Sequence, residues 1–419
     1  MAYVPLAFIL AGMTAYTVLA GADFGAGLWT LLAVGPGGQR IRDEARHAMG
    51  PVWEANHVWL IFVLVVFWTG YPVAFGSISS TLAAPLLIAA IGIIFRGAAY
   101  ALRGQGASRA AENLLAVSSV LTPFALGTAV GAIAVGRVPV GNAAGNPVTS
   151  WLNPASVLIG ALAVAFSGYL AAVYLAADSI RSPEGAVATP FRNRALAAGL
   201  ASGALALAGL IVMRHSGLDL TRGAALAAVC VSGAAGLLTL VLCWRSRFGL
   251  ARLTAALSVA AVVIGWAAAQ APRLLPGMTV AQAAAGRSTL IALIIAVCCG
   301  SVVLIPSLVL LFTLFLRGDL STPEHDIPDI PDAPVHATPG AEGPVADREP
   351  SAQRVRVRIA AAVAGLAAGT GLLVFADSAW AHAAGVACLV ACAVAVFLLA
   401  APDPDADARH ARGLHEDTH

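Results

Sequence analysis

Apolar residues fill long unbroken stretches of this chain instead of alternating with polar ones. A helix needs about 20 such residues to cross the hydrocarbon core of a bilayer. Nine stretches of that order come before residue 318: Tyr3–Val34, Glu54–Phe75, Thr81–Leu102, Glu112–Val135, Ser150–Ala177, Ala195–Val212, Gly223–Trp244, Leu250–Ala269 and Ser288–Leu316. Two more follow near Ile359–Phe375 and Ala379–Ala401. The pattern predicts an all-α polytopic membrane bundle, with nine core transmembrane helices and two appended after them. Arginines gather in the loops after the first, third, fifth and seventh spans. The positive-inside bias then puts the N-terminus outside and both those loops and the C-terminus in the cytoplasm.

One segment breaks the pattern. Between Gly318 and Gln353 there are seven prolines and eight acidic residues against one arginine. Such a stretch has too little apolar surface to fold and is expected to be a disordered cytoplasmic linker. The predicted organisation is therefore a membrane domain over 1–317, a linker over 318–357, a two-helix appendage over 358–402 and a charged cytoplasmic tail over 403–419. The N-terminus lacks a basic leader and its first apolar run is too long for a signal peptide, so this run is expected to stay as an anchor.

Composition agrees with the pattern. With 59% hydrophobic and 11% charged residues and a mean hydropathy of +0.83, the chain carries more apolar surface than a soluble domain of its size could bury. All 24 basic residues are arginine, and the formal net charge of +2 singles out no partner and gives no nucleic-acid footprint. Cys230, Cys243, Cys298, Cys299, Cys388 and Cys392 lie in or at the ends of apolar runs, without the spacing of a metal or redox site. They read as small packing residues.

Against this background a few polar groups stand out. Asp23 lies inside the first span, in Gly21-Ala22-Asp23-Phe24-Gly25-Ala26-Gly27. An acid inside a span is a functional candidate, because charge in lipid is costly and persists where it pairs or lines a path. Gly21 and Gly25 form a small-xxx-small pair that lets another helix approach its backbone. The alternative is an acid that only fixes helix packing. Pro51-Val52-Trp53-Glu54-Ala55-Asn56-His57-Val58-Trp59-Leu60 then places an acid, an amide and an imidazole at the mouth of the second span. Glu54 and His57 share a helix face at i, i+3. Asp23 and Glu54 fall on the same side of the membrane and could occupy successive depths of one proton path, or Glu54 could simply favour its helix start.

His57 has no second deep histidine to pair with, so haem ligation is not expected of it. Trp53, Trp59 and Trp68 suit interfacial or lining roles. Arg96 interrupts the third span near its end. It is expected to extend toward the inner interface, with a counter-ion role toward Asp23 or Glu54 as the alternative. Tyr71-Pro72 and Asn153-Pro154 read as a kink and a helix start. No phosphate-binding loop, nucleophile elbow, dinucleotide fingerprint or metal-ligand spacing is present.

Together these residues resemble subunit II of the cytochrome bd-type quinol oxidases. That family has an acid and a small-residue run in its first helix, here Ala22 to Gly27. It carries a Pro-x-Trp-acid-x-Asn-x-Val-Trp-Leu signature, here Pro51 to Leu60. An aromatic-Pro pair ends the second helix, here Tyr71-Pro72, and Phe-Arg stands near the end of the third, here Phe95-Arg96. Leu152-Asn153-Pro154 and the nine-helix count also agree, and the likeness covers residues 1–317.

The resemblance implies a heterodimer in the bacterial cytoplasmic membrane, with small accessory subunits as further candidate partners alongside lipid. Subunit I would hold the quinol site and the haems b and d, and this chain would hold no catalytic residue, cofactor or metal. Quinol oxidation would be coupled to four-electron reduction of O2 to water. By motif position Asp23 and Glu54 would serve the proton path, Trp59 would border the oxygen route, and Asn56, His57 and Arg96 would support or line it. His57 departs from the family, where Gln or Glu is commoner, and Glu54 stands where many relatives have Asp. The linker and last two spans lie outside the family pattern, and are expected to pack against the dimer or replace an accessory subunit. A proton-coupled secondary transporter is the competing class, since acids in helices also suit ion binding. A scaffold with no path of its own is the third.

Overall fold

The computed structural model describes residues 1–33, 38–49, 53–102, 109–179 and 188–317, with single helical positions at 364, 380, 384 and 388. The chain divides into two units, Met1–Thr322 and Pro323–His419. The expected linker, appendage and tail lie outside the described residues except for those four positions.

The described residues of the first unit are mainly helical: α1 Val4–Leu31, α2 Gly38–Met49, α3 Trp53–Gly70, α4 Pro72–Thr81, α5 Ala83–Leu102, α6 Arg109–Ala134, α7 Pro154–Ser179, α8 Ala188–His215, α9 Gly223–Trp244 and α10 Phe248–Gln270. A short antiparallel hairpin, β1 Arg273–Leu275 and β2 Met278–Thr279, leads into α11 Val280–Ala283 and the long α12 Arg287–Arg317. Each of the nine expected apolar segments holds a helix. Among the described residues, six helices are long and apolar enough to cross a membrane: Val4–Leu31, Leu115–Ala134, Pro154–Ser179, Thr189–His215, Gly223–Trp244 and Phe248–Gln270. The bent pair α4 and α5 would make a seventh crossing, and Asn56–Gly70 and Arg287–Val302 are shorter apolar helices. The chain is a multi-pass membrane protein.

The second expected span is corrected by the structure, because α3 stops at Gly70 and not at Phe75. Pro72 has no N–H to donate and crowds the preceding residue out of helical geometry. Tyr71 accordingly adopts φ −141° and ψ 61°, and Pro72 opens α4 as its first residue. The break is stitched on both sides. The Ala285 N–H donates to the Gly70 carbonyl at 2.8 Å, and the fully buried Tyr71 donates its hydroxyl to the Ala2 carbonyl. A second break follows at Leu82, where Pro85 lacks the N–H that a continuous helix would direct at Thr81, and the axis turns by 83°. Asn153-Pro154 opens α7 as expected. The Asn153 Oδ1 accepts the Ser156 N–H at 3.0 Å, which satisfies one of the free donors of a helix start.

Helix α1 is central, packing against α3, α6, α7 and α10. The core it shares with α7 and α10 is built largely from Ala26, Ala171, Ala172, Ala176, Ala251 and Ala255. Large side chains face outward instead, among them Ile61 and Trp68 on α3, Leu200 and Leu207 on α8, Leu237 on α9 and Leu253 on α10. Small inside and large outside is the order expected where lipid, not water, is the solvent and helices adhere by close backbone approach.

Candidate functional site

The polar centre of the bundle lies where α1, α3, α5 and α6 meet. Gly25, two residues beyond Asp23, explains how tightly α1 is held there. A Cβ at Gly25 would collide with the carbonyl oxygen of Ser167 on α7, so the small-xxx-small pair expected from the sequence is the seat of α7. Gly27 does the same for α6, since a Cβ there would collide with the Ser119 hydroxyl. Gly25→Ala is expected to push α1 off α7 at a cost of about 1–3 kcal/mol. Thermal unfolding of the detergent-solubilised protein would show it, and a midpoint equal to that of the parent would remove this account of the glycine.

Within this packing Asp23 is 7% exposed and Arg96, from α5, is fully buried. The guanidinium grips the acid with two prongs: Nε donates to Oδ2 at 3.0 Å and Nη2 to Oδ1 at 2.6 Å. Nη2 also donates to the Asp23 carbonyl at 2.8 Å, and Nη1 to the Ser119 hydroxyl of α6 at 2.8 Å. Ser119 in turn donates to the Leu115 carbonyl at 2.7 Å. The Phe24 ring lies 4.8 Å from the guanidinium carbon, covering one face of the cation. This corrects the expectation for Arg96, which does not extend to the inner interface and is instead the counter-ion of Asp23. Arg96 and Ala99 face into the bundle, so the guanidinium meets the Asp23 carboxylate instead of solvent.

Helix α3 lays its first turns on the same stretch of α1. Asn56 is 2% exposed and its amide donates to the Leu19 carbonyl at 3.4 Å. His57 presents its ring edge-on to Tyr16 at 6.3 Å and to Phe24 at 6.4 Å between centroids. Trp59, half-buried, packs edge-on against Phe62 at 6.5 Å. Glu54 occupies the first turn of α3, and its side chain lies outside the described residues. The structure thus brings Asp23, Arg96, Asn56 and His57 to one stretch of α1, while the ring of Trp59 packs against Phe62 of its own helix.

Sequence reading missed Tyr16, Phe24 and Ser119. A signal for Ser119 existed: Ser118, Ser119 and Thr122 form a polar cluster within the apolar run of α6, and all three are fully buried. Chemically the centre is a fixed charge pair, four of the five guanidinium N–H groups donating to Asp23 and Ser119, set between an imidazole and buried hydroxyls. Among the described residues no three His, Cys, Asp or Glu side chains converge as a metal would require.

A family model described as cytochrome bd terminal oxidase subunit II matches residues 1–315. Among solved structures, one titled "The structure of bd oxidase from Geobacillus thermodenitrificans" is similar to this chain with a TM-score of 0.64 and 24% sequence identity, over 75% of this chain and 98% of that one. At that identity the likeness speaks for the fold. A comparison with curated proteins finds no match.

Proposed function

Because the chain belongs to the cytochrome bd terminal oxidase subunit II family, which implies a quinol oxidase complex with a subunit I partner, we propose that it forms proton and oxygen access for the reduction of O2. The haems b and d and the quinol site belong to subunit I in this reading. The N-terminus lies outside and the C-terminus in the cytoplasm of the bacterial cytoplasmic membrane. Protons enter from the cytoplasm at Glu54, the acid at the mouth of α3, and pass the Asp23–Arg96 level. Asn56 and His57 line the same route, and Trp59 borders that of oxygen.

The observation that supports proton access best is the buried pair itself. Bringing a carboxylate and a guanidinium into an apolar bundle is costly, and packing alone is satisfied more cheaply by apolar residues. A polar centre next to the signature that opens α3 therefore suits a path better than a scaffold. Protonating Asp23 would leave Arg96 buried without its counter-charge. The pair accordingly forms the fixed wall of the path, and Glu54 is the group that takes up and releases the proton. The family match does not favour a secondary transporter.

The complex should be purified from its native membrane through a tag on this chain, and its reduced-minus-oxidised visible spectrum recorded. Bands of haem b and haem d, with a second large membrane subunit, are the expected result. A colourless, solitary protein would overturn the reading.

A further inference from the structure

Tyr16 points to where the path goes after the Asp23 level. It lies seven residues before Asp23 on α1, on the same helix face and about 10 Å farther along the axis. Its hydroxyl oxygen is sealed from solvent and has no hydrogen-bond partner among the described residues. Buried hydroxyls almost always have a partner, and where protein supplies none, an internal water commonly does. The charged and titratable side chains around it come from three helices: Asp23 on α1, His57 on α3 and Arg96 on α5. His57 touches both Tyr16 and Phe24, so one imidazole spans the interval between the Tyr16 level and the Asp23 level.

We propose that Tyr16 is a relay group: its hydroxyl, with a bridging water beside the His57 imidazole, carries the proton path from the Asp23–Arg96 level to the middle of the bundle. The water takes up a proton arriving from the Glu54 side and passes one to the phenol oxygen as the phenol gives its own to the next acceptor along the path, so that water and phenol both end neutral. One O–H bond forms as another breaks, and the neutral phenol is restored. The inference rests on the proton-access reading above and extends it by one named group. It also gives His57 a reason to be an imidazole, a side chain that can both donate and accept.

The test uses the assembled complex with Tyr16→Phe, which keeps the ring and removes only the hydroxyl. Quinol-driven O2 consumption should slow by about tenfold, less than the full worth of a positioned proton-transfer group because water can partly bypass it. Haem content should be unchanged and the solvent deuterium isotope effect larger. A reduced-minus-oxidised infrared difference spectrum with ring-labelled tyrosine adds a readout independent of turnover. The parent should show a phenol C–O stretch that shifts on reduction, and Y16F should lack it. Parental turnover and isotope effect in Y16F would overturn the inference, as would the absence of any labelled band in the parent, a measurement that stands even if Y16F fails to assemble. Glu54→Gln, measured in parallel, separates the two failures. If E54Q is slow and Y16F is not, only the role of Tyr16 falls. If E54Q turns over at the parental rate, proton access itself fails and the relay with it.

Discussion

Arg96→Met should prevent recovery of the folded protein, while the double variant Asp23→Asn, Arg96→Met should restore much of what is lost. Arg96 is fully buried, and its guanidinium donates to Asp23 and to Ser119. Removing the cation leaves the Asp23 carboxylate at 7% exposure without the two-pronged contact that compensates its burial. Breaking a buried pair from one side costs about 3–5 kcal/mol, a large share of the stability of a domain. Asp23→Asn alone breaks it from the other side and strands the guanidinium. Removing both charges leaves a neutral amide beside an apolar chain of similar volume, which a bundle tolerates far better. The measurement is the yield of monodisperse protein and its unfolding midpoint for the parent, both single variants and the double. R96M as stable as the parent would show that the pair holds nothing together. A double variant no better than the worse single one would show that the damage is lost shape and not stranded charge. A relay role for Asp23 cannot be tested with D23N alone, because that variant confounds a missing proton carrier with an arginine deprived of its counter-charge.

Much of this centre was legible in the sequence, and the part that was not has a physical cause. Asp23 stood out because an acid among Gly21, Gly25 and Gly27 has no role in an ordinary apolar span. Gly21 and Gly25 announced a close helix contact, and the structure identifies the neighbour as α7 at Ser167, while the approach of α6 to Gly27 at Ser119 was not singled out. Which helix would arrive was not readable, since a one-dimensional pattern carries no information on pairing between distant segments. Arg96 was misjudged for the same reason. Distance from the end of a span gives a depth in the membrane, but not whether the side chain faces lipid or protein, and snorkelling follows only from the first. Tyr71-Pro72 was visible as an interruption because the effect of proline on its own residue and the one before is local. The 83° turn at Leu82 is a separate break between α4 and α5, set by Pro85, and was not singled out in the sequence. Tyr16 drew no notice because a tyrosine in a span is unremarkable until its hydroxyl proves to be buried without a partner among the described residues.

Glu54→Gln should reduce quinol-driven O2 consumption by about tenfold or more while leaving haem content and subunit stoichiometry intact. Glutamine preserves the volume and hydrogen-bonding reach of the side chain but cannot take up and release a proton in the physiological range. The position favours a functional over a structural cost. Glu54 lies in the first turn of α3, where an acid gains only a modest, screened interaction with the helix start, worth about 0.3–1 kcal/mol. Loss of that term should leave assembly unharmed, so a large fall in turnover would have to come from proton delivery. Asn56 and His57, two and three residues on, carry the polar surface inward against Leu19, Tyr16 and Phe24 of α1. Glu54 is thus the acid at the opening of a polar seam, whereas Asp23 is locked to Arg96 farther in. Under the proton-access proposal labour would be divided: the fixed pair would set the field along the path, and the acid at its mouth would exchange protons with the cytoplasm. Turnover of E54Q at the parental rate in a complex of full haem content would leave Glu54 with no part in proton entry, and the seam on α1 and α3 would then be packing alone.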